Sequence, residues 1–150
     1  MSVMFVIGPS CSGKSTYIKN RYPNIKKIDL YDYQSHWSER KFFSIQDILK
    51  SYEDCKNAII EAVKNNEDII VEHTLSKVAR RKEYIDAIRE ISNTPIGIVV
   101  IYPSDNKILE NAKKRDVKIT QTDLDNYRKV FEMPTPIEGF SKITILRNNI

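Results

Sequence analysis

Three observations predict an α/β domain for this 150-residue chain: a parallel sheet covered by helices on both faces. Short apolar runs alternate with segments of helical spacing, which is the pattern of parallel βαβ units. The runs are apolar nearly throughout, as strands are when both sheet faces are buried. The first run leads straight into a glycine-bounded turn and then a segment that can be helical, the arrangement that binds anions at a helix N-terminus.

The elements follow in order. Residues 3–7 form the first predicted strand, and a helix begins near Thr16. The second strand, residues 26–29, comes just after Tyr22-Pro23-Asn24. Ile45, Ile48, Leu49, Tyr52, Cys55, Ile59 and Val63 keep a helical spacing. Asn65-Asn66 marks a turn before the third strand, residues 68–72. Tyr84, Ile85, Ile88 and Ile91 are again spaced as one helical face. The fourth strand, residues 96–101, lies between Pro95 and Pro103, and residues 143–146 form the last. Residues 104–115 and 122–131 read as helices, joined by a short basic and polar link. At this length one domain spanning residues 1–150 is expected.

Residues 8–16 match G-x-x-x-x-G-K-[ST] in full. Gly8 and Gly13 allow a tight turn, so that the backbone around Ser10, Cys11, Ser12 and Thr16 cradles phosphate. Lys14 is placed to reach the β- and γ-phosphates and the Ser15 hydroxyl to ligate Mg²⁺. The expected ligands are therefore ATP and Mg²⁺, on a P-loop NTPase fold. In such open sheets the ligand lies outside the carboxyl ends of the strands. Asp29 and Asp32 after strand two, and Glu72, His73 and Thr74 after strand three, fall there. Either aspartate is suited to take a proton from an attacking hydroxyl, and Glu72 to hold magnesium through water. An N-cap or solvated role serves an acid at such a boundary equally well. Arg115, after Asn111-Ala112-Lys113-Lys114, suits a phosphate-gripping lid over residues 111–121 or a solvated charge cluster. Arg80 and Arg81 invite the same two readings.

Composition narrows the classes. Charged residues make up 29% and hydrophobic ones 41%, as in a soluble globular protein. The net charge of +4 suits an anionic partner and supports nucleic acid only weakly, since triphosphate uses part of it. A disulfide through Cys11 would wreck the loop, so Cys11 and Cys55 are expected as free thiols in a reducing, cytoplasmic setting. The seven-residue apolar run 96–102 is too short to span a bilayer, and no secretory signal pattern opens the chain. With only His36 and His73, a His/Cys zinc site is not expected.

One string is more specific than any phosphate loop: Tyr127-Arg128-Lys129-Val130-Phe131-Glu132-Met133-Pro134-Thr135-Pro136-Ile137-Glu138-Gly139-Phe140. It resembles the Tyr-Arg-Lys-x-Phe-Glu-x-Pro-Thr-x-x-Glu-Gly-Phe of the polynucleotide 5′-kinases. Asp32 followed by Trp37 is similar to that family's Asp-x4-Trp, and Glu72-His73-Thr74 stands where the family has Asp-Asn-Thr or Asp-Thr-Asn. Arg81, Tyr84, Asn111 and Arg115 also find counterparts. The resemblance implies an adenylate-kinase-like parallel sheet with a short helical lid. It implies transfer of the ATP γ-phosphate to the 5′-hydroxyl of DNA or RNA, in nucleic acid repair. Lys14, Asp32 and Arg115 would be catalytic, and Asp29, Trp37, His73, Thr74 and Arg81 would meet the substrate. Pro134 and Thr135 would form a loop over the nucleotide base. The family writes Asn-x-Asp on strand two where this chain has Asp29-Leu30-Tyr31-Asp32, so Asp29 rivals Asp32 as the base. The Asp-x-Asp-x-[Thr/Val] phosphatase motif is missing from the chain. A nucleoside, nucleotide or sugar nucleotide is an alternative acceptor for the same fold, and a non-catalytic nucleotide-binding module a third reading.

Overall fold

The computed structural model describes residues 2–34 and 44–147, so Trp37 lies outside the described residues. Its strands are β1 (Val3–Ile7), β2 (Lys26–Asp29), β3 (Ile69–His73), β4 (Ile96–Ile101) and β5 (Lys142–Leu146). They form one sheet in the order β2-β3-β1-β4-β5, every neighbouring pair parallel. The helices are α1 (Lys14–Arg21), α2 (Ile45–Lys64), α3 (Val78–Arg89), α4 (Asp105–Lys114) and α5 (Gln121–Val130). The predicted α/β class and strand order along the chain hold. β3 starts one residue later than predicted, because Ile69, not the exposed Asp68, pairs with Val3 of β1.

Strand alternation divides the sheet into two packed faces. Val3, Phe5, Ile7, Ile28, Ile69, Val71, Ile96, Ile98 and Val100 point toward α2 and α3, meeting Cys55, Ile59, Tyr84, Ile85 and Ile88. Val6, Ile70, Val99 and Ile101 point to the other face and cover Tyr17 and Ile18 of α1. Each fully buried isoleucine in these layers contributes roughly 1.5–3 kcal/mol. A third cluster of Cys11, Ile108, Ala112 and Leu124 ties the phosphate loop to α4 and α5.

The helix starts follow from capping. Ser44 and Asp47 form a reciprocal capping box on α2, and Thr120 and Asp123 do the same on α5. α1 is different. Its N-cap is Gly13 in the left-handed region (φ 104°), with no side-chain cap bond and no acidic residue in the first turn. That helix start is thereby left open to an external anion.

Candidate active site

Gly8 sets the loop against the sheet. A Cβ there would lie 2.1 Å from the Ile101 carbonyl oxygen, and its φ is +155°, so only glycine lets β1 turn at this point. Cys11 adopts a left-handed conformation (φ 61°), and its carbonyl accepts a hydrogen bond from Asn111 Nδ2 at 3.0 Å. Lys14 Nζ donates to the Gly8 and Pro9 carbonyls, each at 2.9 Å. The Ser12 hydroxyl is buried without a partner among the described residues, a donor available within the turn. Burial pulls the Lys14 ammonium down to about 8, although Glu72 and Asp29 nearby favour its charge.

A cleft of about 1080 Å³ opens over this loop. Cys11, Ser12, Gly13, Lys14, Ser15 and Thr16 line its floor, and Lys107, Asn111, Lys114, Arg115 and Arg147 line its wall. Glu72 is the one carboxylate of the lining among the described residues, against five lysines and arginines. Arg115 lies beside the loop, its guanidinium donating to Cys11 Sγ at 3.6 Å. The C-terminal end of α4, which carries Asn111 and Arg115, is thus packed on the phosphate loop.

Alternation on β2 and β3 brings the acids to the cleft. Lys27, Asp29 and Glu72 lie on the α1 face, and Asp29 is directly opposite Glu72 in the parallel register. The Ser15 hydroxyl donates to the Glu72 carboxylate, whose oxygens are 2.9 and 3.0 Å away. Asp29 Oδ1 accepts the Tyr31 N–H at 3.0 Å and so starts a 3-10 turn, Leu30–Tyr33. Asp32 rides on that turn and is exposed. The hydroxyl and carboxylate converge as an all-oxygen pair, which suits Mg²⁺, a cation that keeps water and phosphate as its other ligands.

Other expected site residues lie off the cationic cleft. His73 turns toward α2 and α3, because its place in β3 shares the parity of Ile69 and Val71. Its Nδ1 accepts the Leu75 N–H at 3.1 Å, so Nε2 carries the proton and faces Tyr84 Oη at 3.1 Å. Burial holds this imidazole down to about 3, so it stays neutral. Arg81 is buried rather than facing substrate. Its guanidinium meets Glu138 at 2.7 and 3.3 Å and the Leu75 carbonyl at 2.9 Å. Pro134 and Thr135 are absent from the lining of the cationic cleft. Their segment packs on the start of α3 instead: Glu132 N donates to the Ser76 carbonyl at 2.7 Å, and Glu132 Oε1 accepts the Val78 N–H at 3.1 Å.

A second cavity of about 330 Å³ lies at the carboxyl end of β3, and the expected substrate residues His73 and Thr74 line it with Tyr52, Lys77, Arg80 and Glu83. Arg80 stacks over the Tyr52 ring, 4.8 Å from its centroid. The sequence reading missed Lys27, Lys107 and Arg147. Only Lys27 had a signal, since it shares the parity of Asp29 on β2.

The AAA domain family (AAA_33) matches residues 3–134, most of the chain. This chain belongs to that family. Over 103 residues, 65% of its length, the AAA-domain chain is 30% identical to the bifunctional polynucleotide phosphatase/kinase of Schizosaccharomyces pombe. It spans about a quarter (25%) of that relative's length. Its fold is similar to that of a sugar kinase from Janibacter sp. HTCC2649, with TM-score 0.67, 14% identity, and coverage of 99% of this chain and 87% of that one. It also matches a chain of the Pnkp1/Rnl/Hen1 RNA repair complex, with TM-score 0.66, 16% identity, and coverage of 87% and 46%. The chain is thus a kinase-like P-loop domain, and the resemblance to polynucleotide kinases read from its sequence stands. Cys11 and Cys55 are free thiols. No helix among the described residues is long and apolar enough to cross a membrane.

Proposed function

We propose that this AAA-domain chain transfers the γ-phosphate of ATP, with Mg²⁺, to the 5′-hydroxyl of a DNA or RNA strand. One arrangement carries the reading: Lys14, Ser15 and Glu72 line the cationic cleft, and Asp29 stands directly opposite Glu72 on the neighbouring strand. The triphosphate lies along the loop, its oxygens taking the Lys14 ammonium from the Gly8 and Pro9 carbonyls. Ser15 and Glu72 hold Mg²⁺, which when bound neutralises charge on the phosphate oxygens. Arg115 grips the transferring group from the lid. Asp29 orients the acceptor hydroxyl and takes its proton. The acceptor oxygen bonds to the γ-phosphorus as the bond from that phosphorus to the bridging oxygen breaks, and ADP leaves. Geometry favours Asp29 over Asp32, since Asp29 lies within electrostatic reach of Lys14 and opposite Glu72.

The polynucleotide acceptor is supported by the string 127–140, by the Schizosaccharomyces pombe relative, and by the Arg80, Lys77 and Tyr52 lining of the second cavity. Its test is transfer of label from γ-labelled ATP to a 5′-hydroxyl oligonucleotide, beside nucleosides, mononucleotides and sugars. Label is expected on the oligonucleotide, absent with Lys14→Ala, and falling steeply with added salt. Label confined to a small acceptor overturns the polynucleotide part. No label on any acceptor overturns the kinase reading.

A further inference from the structure

Two carboxylates directly opposite on neighbouring strands repel each other and call for a cation between them. Asp29 and Glu72 are such a pair, both on the α1 face of the sheet. Among the described residues, the cation that bridges them comes from β2 itself: Lys27 Nζ is 3.7 Å from Asp29 Oδ2 and 3.6 Å from Glu72 Oε1. Its side chain is 37% exposed, while those of the acids are 14% and 11% exposed. The lysine thus approaches from solvent and covers the pair. Lys14 lies in electrostatic reach of the same acids but is turned back on the loop carbonyls. The Ser15 hydroxyl already engages Glu72, so the carboxylate that Lys27 touches is the one assigned to the metal.

We propose that Lys27 is a positioning residue of this site, the chain's own counter-cation for the Asp29–Glu72 pair, sharing that pair with the divalent ion. This rests on the Mg²⁺–ATP reading of the cleft. With no divalent ion bound, Lys27 holds the acids in place and keeps the loop receptive to a triphosphate. With the ion bound, the same positive charge weakens its hold, so the metal is exchangeable and arrives with the nucleotide. The consequences have opposite signs for metal and for metal-free nucleotide, which a merely structural lysine would not produce.

The test is calorimetric ATP binding across a Mg²⁺ series, for wild type, Lys27→Met, Lys27→Gln and Lys27→Arg, each checked by thermal unfolding. Loss of one unit charge about 4 Å from the acids is expected to lower the half-saturating Mg²⁺ about fivefold, and to weaken Mg²⁺-free ATP binding by a smaller factor because Lys27 does not line the cleft. Lys27→Gln should reproduce Lys27→Met, and Lys27→Arg should stay near wild type. Combining Lys27→Met with Asp29→Asn should cancel most of the gain in metal affinity. Unchanged Mg²⁺ dependence in both neutral variants overturns the proposal, as does Lys27→Arg behaving like Lys27→Met. In a separate arm, Mn²⁺ without nucleotide should raise the unfolding temperature more for Lys27→Met than for wild type. Wild-type protein that binds no ATP overturns the nucleotide reading instead, and Lys27 is then decided by the Mn²⁺ arm alone.

Discussion

Replacing Asp29 with asparagine is expected to slow phosphoryl transfer by about a hundredfold to ten-thousandfold, the range associated with loss of a general base. ATP binding at saturating Mg²⁺ should be retained, because Asp29 does not line the cationic cleft. The substitution is conservative for the fold. Asp29 Oδ1 accepts the Tyr31 N–H, and an asparagine carbonyl oxygen accepts it equally well, so the 3-10 turn keeps its cap. What disappears is the negative charge and the proton-accepting oxygen facing Lys27 and Lys14. Asp32→Asn is the comparison. Asp32 is exposed on the turn, and its replacement should leave the rate much closer to wild type. Single-turnover transfer with calorimetric ATP binding separates chemistry from nucleotide affinity. A larger loss in Asp32→Asn than in Asp29→Asn would transfer the role to Asp32, as the spacing to Trp37 suggests.

The choice between these aspartates shows where sequence reasoning runs out. Strand alternation and the phosphate-loop motif make the sheet, the loop and the approach of Glu72 to Ser15 legible, because each depends on near neighbours or on period two. The same alternation assigns His73 to the opposite face, but only once the strand is known to run on to His73 rather than to end at Glu72. Asp32 depends on a turn opened by a hydrogen bond from the Tyr31 N–H to Asp29 and closed by one from the Gln34 N–H to the Tyr31 carbonyl, and nothing in Leu30-Tyr31-Asp32-Tyr33 announces it. The string 127–140 was specific as a pattern but silent about its partner. Its glutamates reach back 54 and 57 residues, to Val78 and Arg81, and no local rule reports such a contact.

That long-range contact carries the second large prediction: Glu138→Gln should lower unfolding stability by about 3–5 kcal/mol, the cost of leaving a buried charge without its partner. The Arg81 and Glu138 side chains are 1% and 6% exposed, so solvent does little to screen the loss. Glu138 accepts three hydrogen bonds, two from the Arg81 guanidinium and one from the Thr135 N–H at 2.8 Å. A glutamine amide turns one acceptor oxygen into a donor facing another donor, and leaves Arg81 charged in the interior. The remaining Arg81 contact is the Leu75 carbonyl, at a residue already held at φ 29°. Loss of the pair should therefore loosen the β3–α3 turn that walls the second cavity. Urea unfolding measures the effect, and the double variant Arg81→Met/Glu138→Leu supplies the control. An apolar pair of similar volume removes both charges together and should recover most of the lost stability. If Glu138→Gln instead costs under about 1 kcal/mol, the pair behaves as a solvent-exposed bridge, and the C-terminal string does not clamp α3.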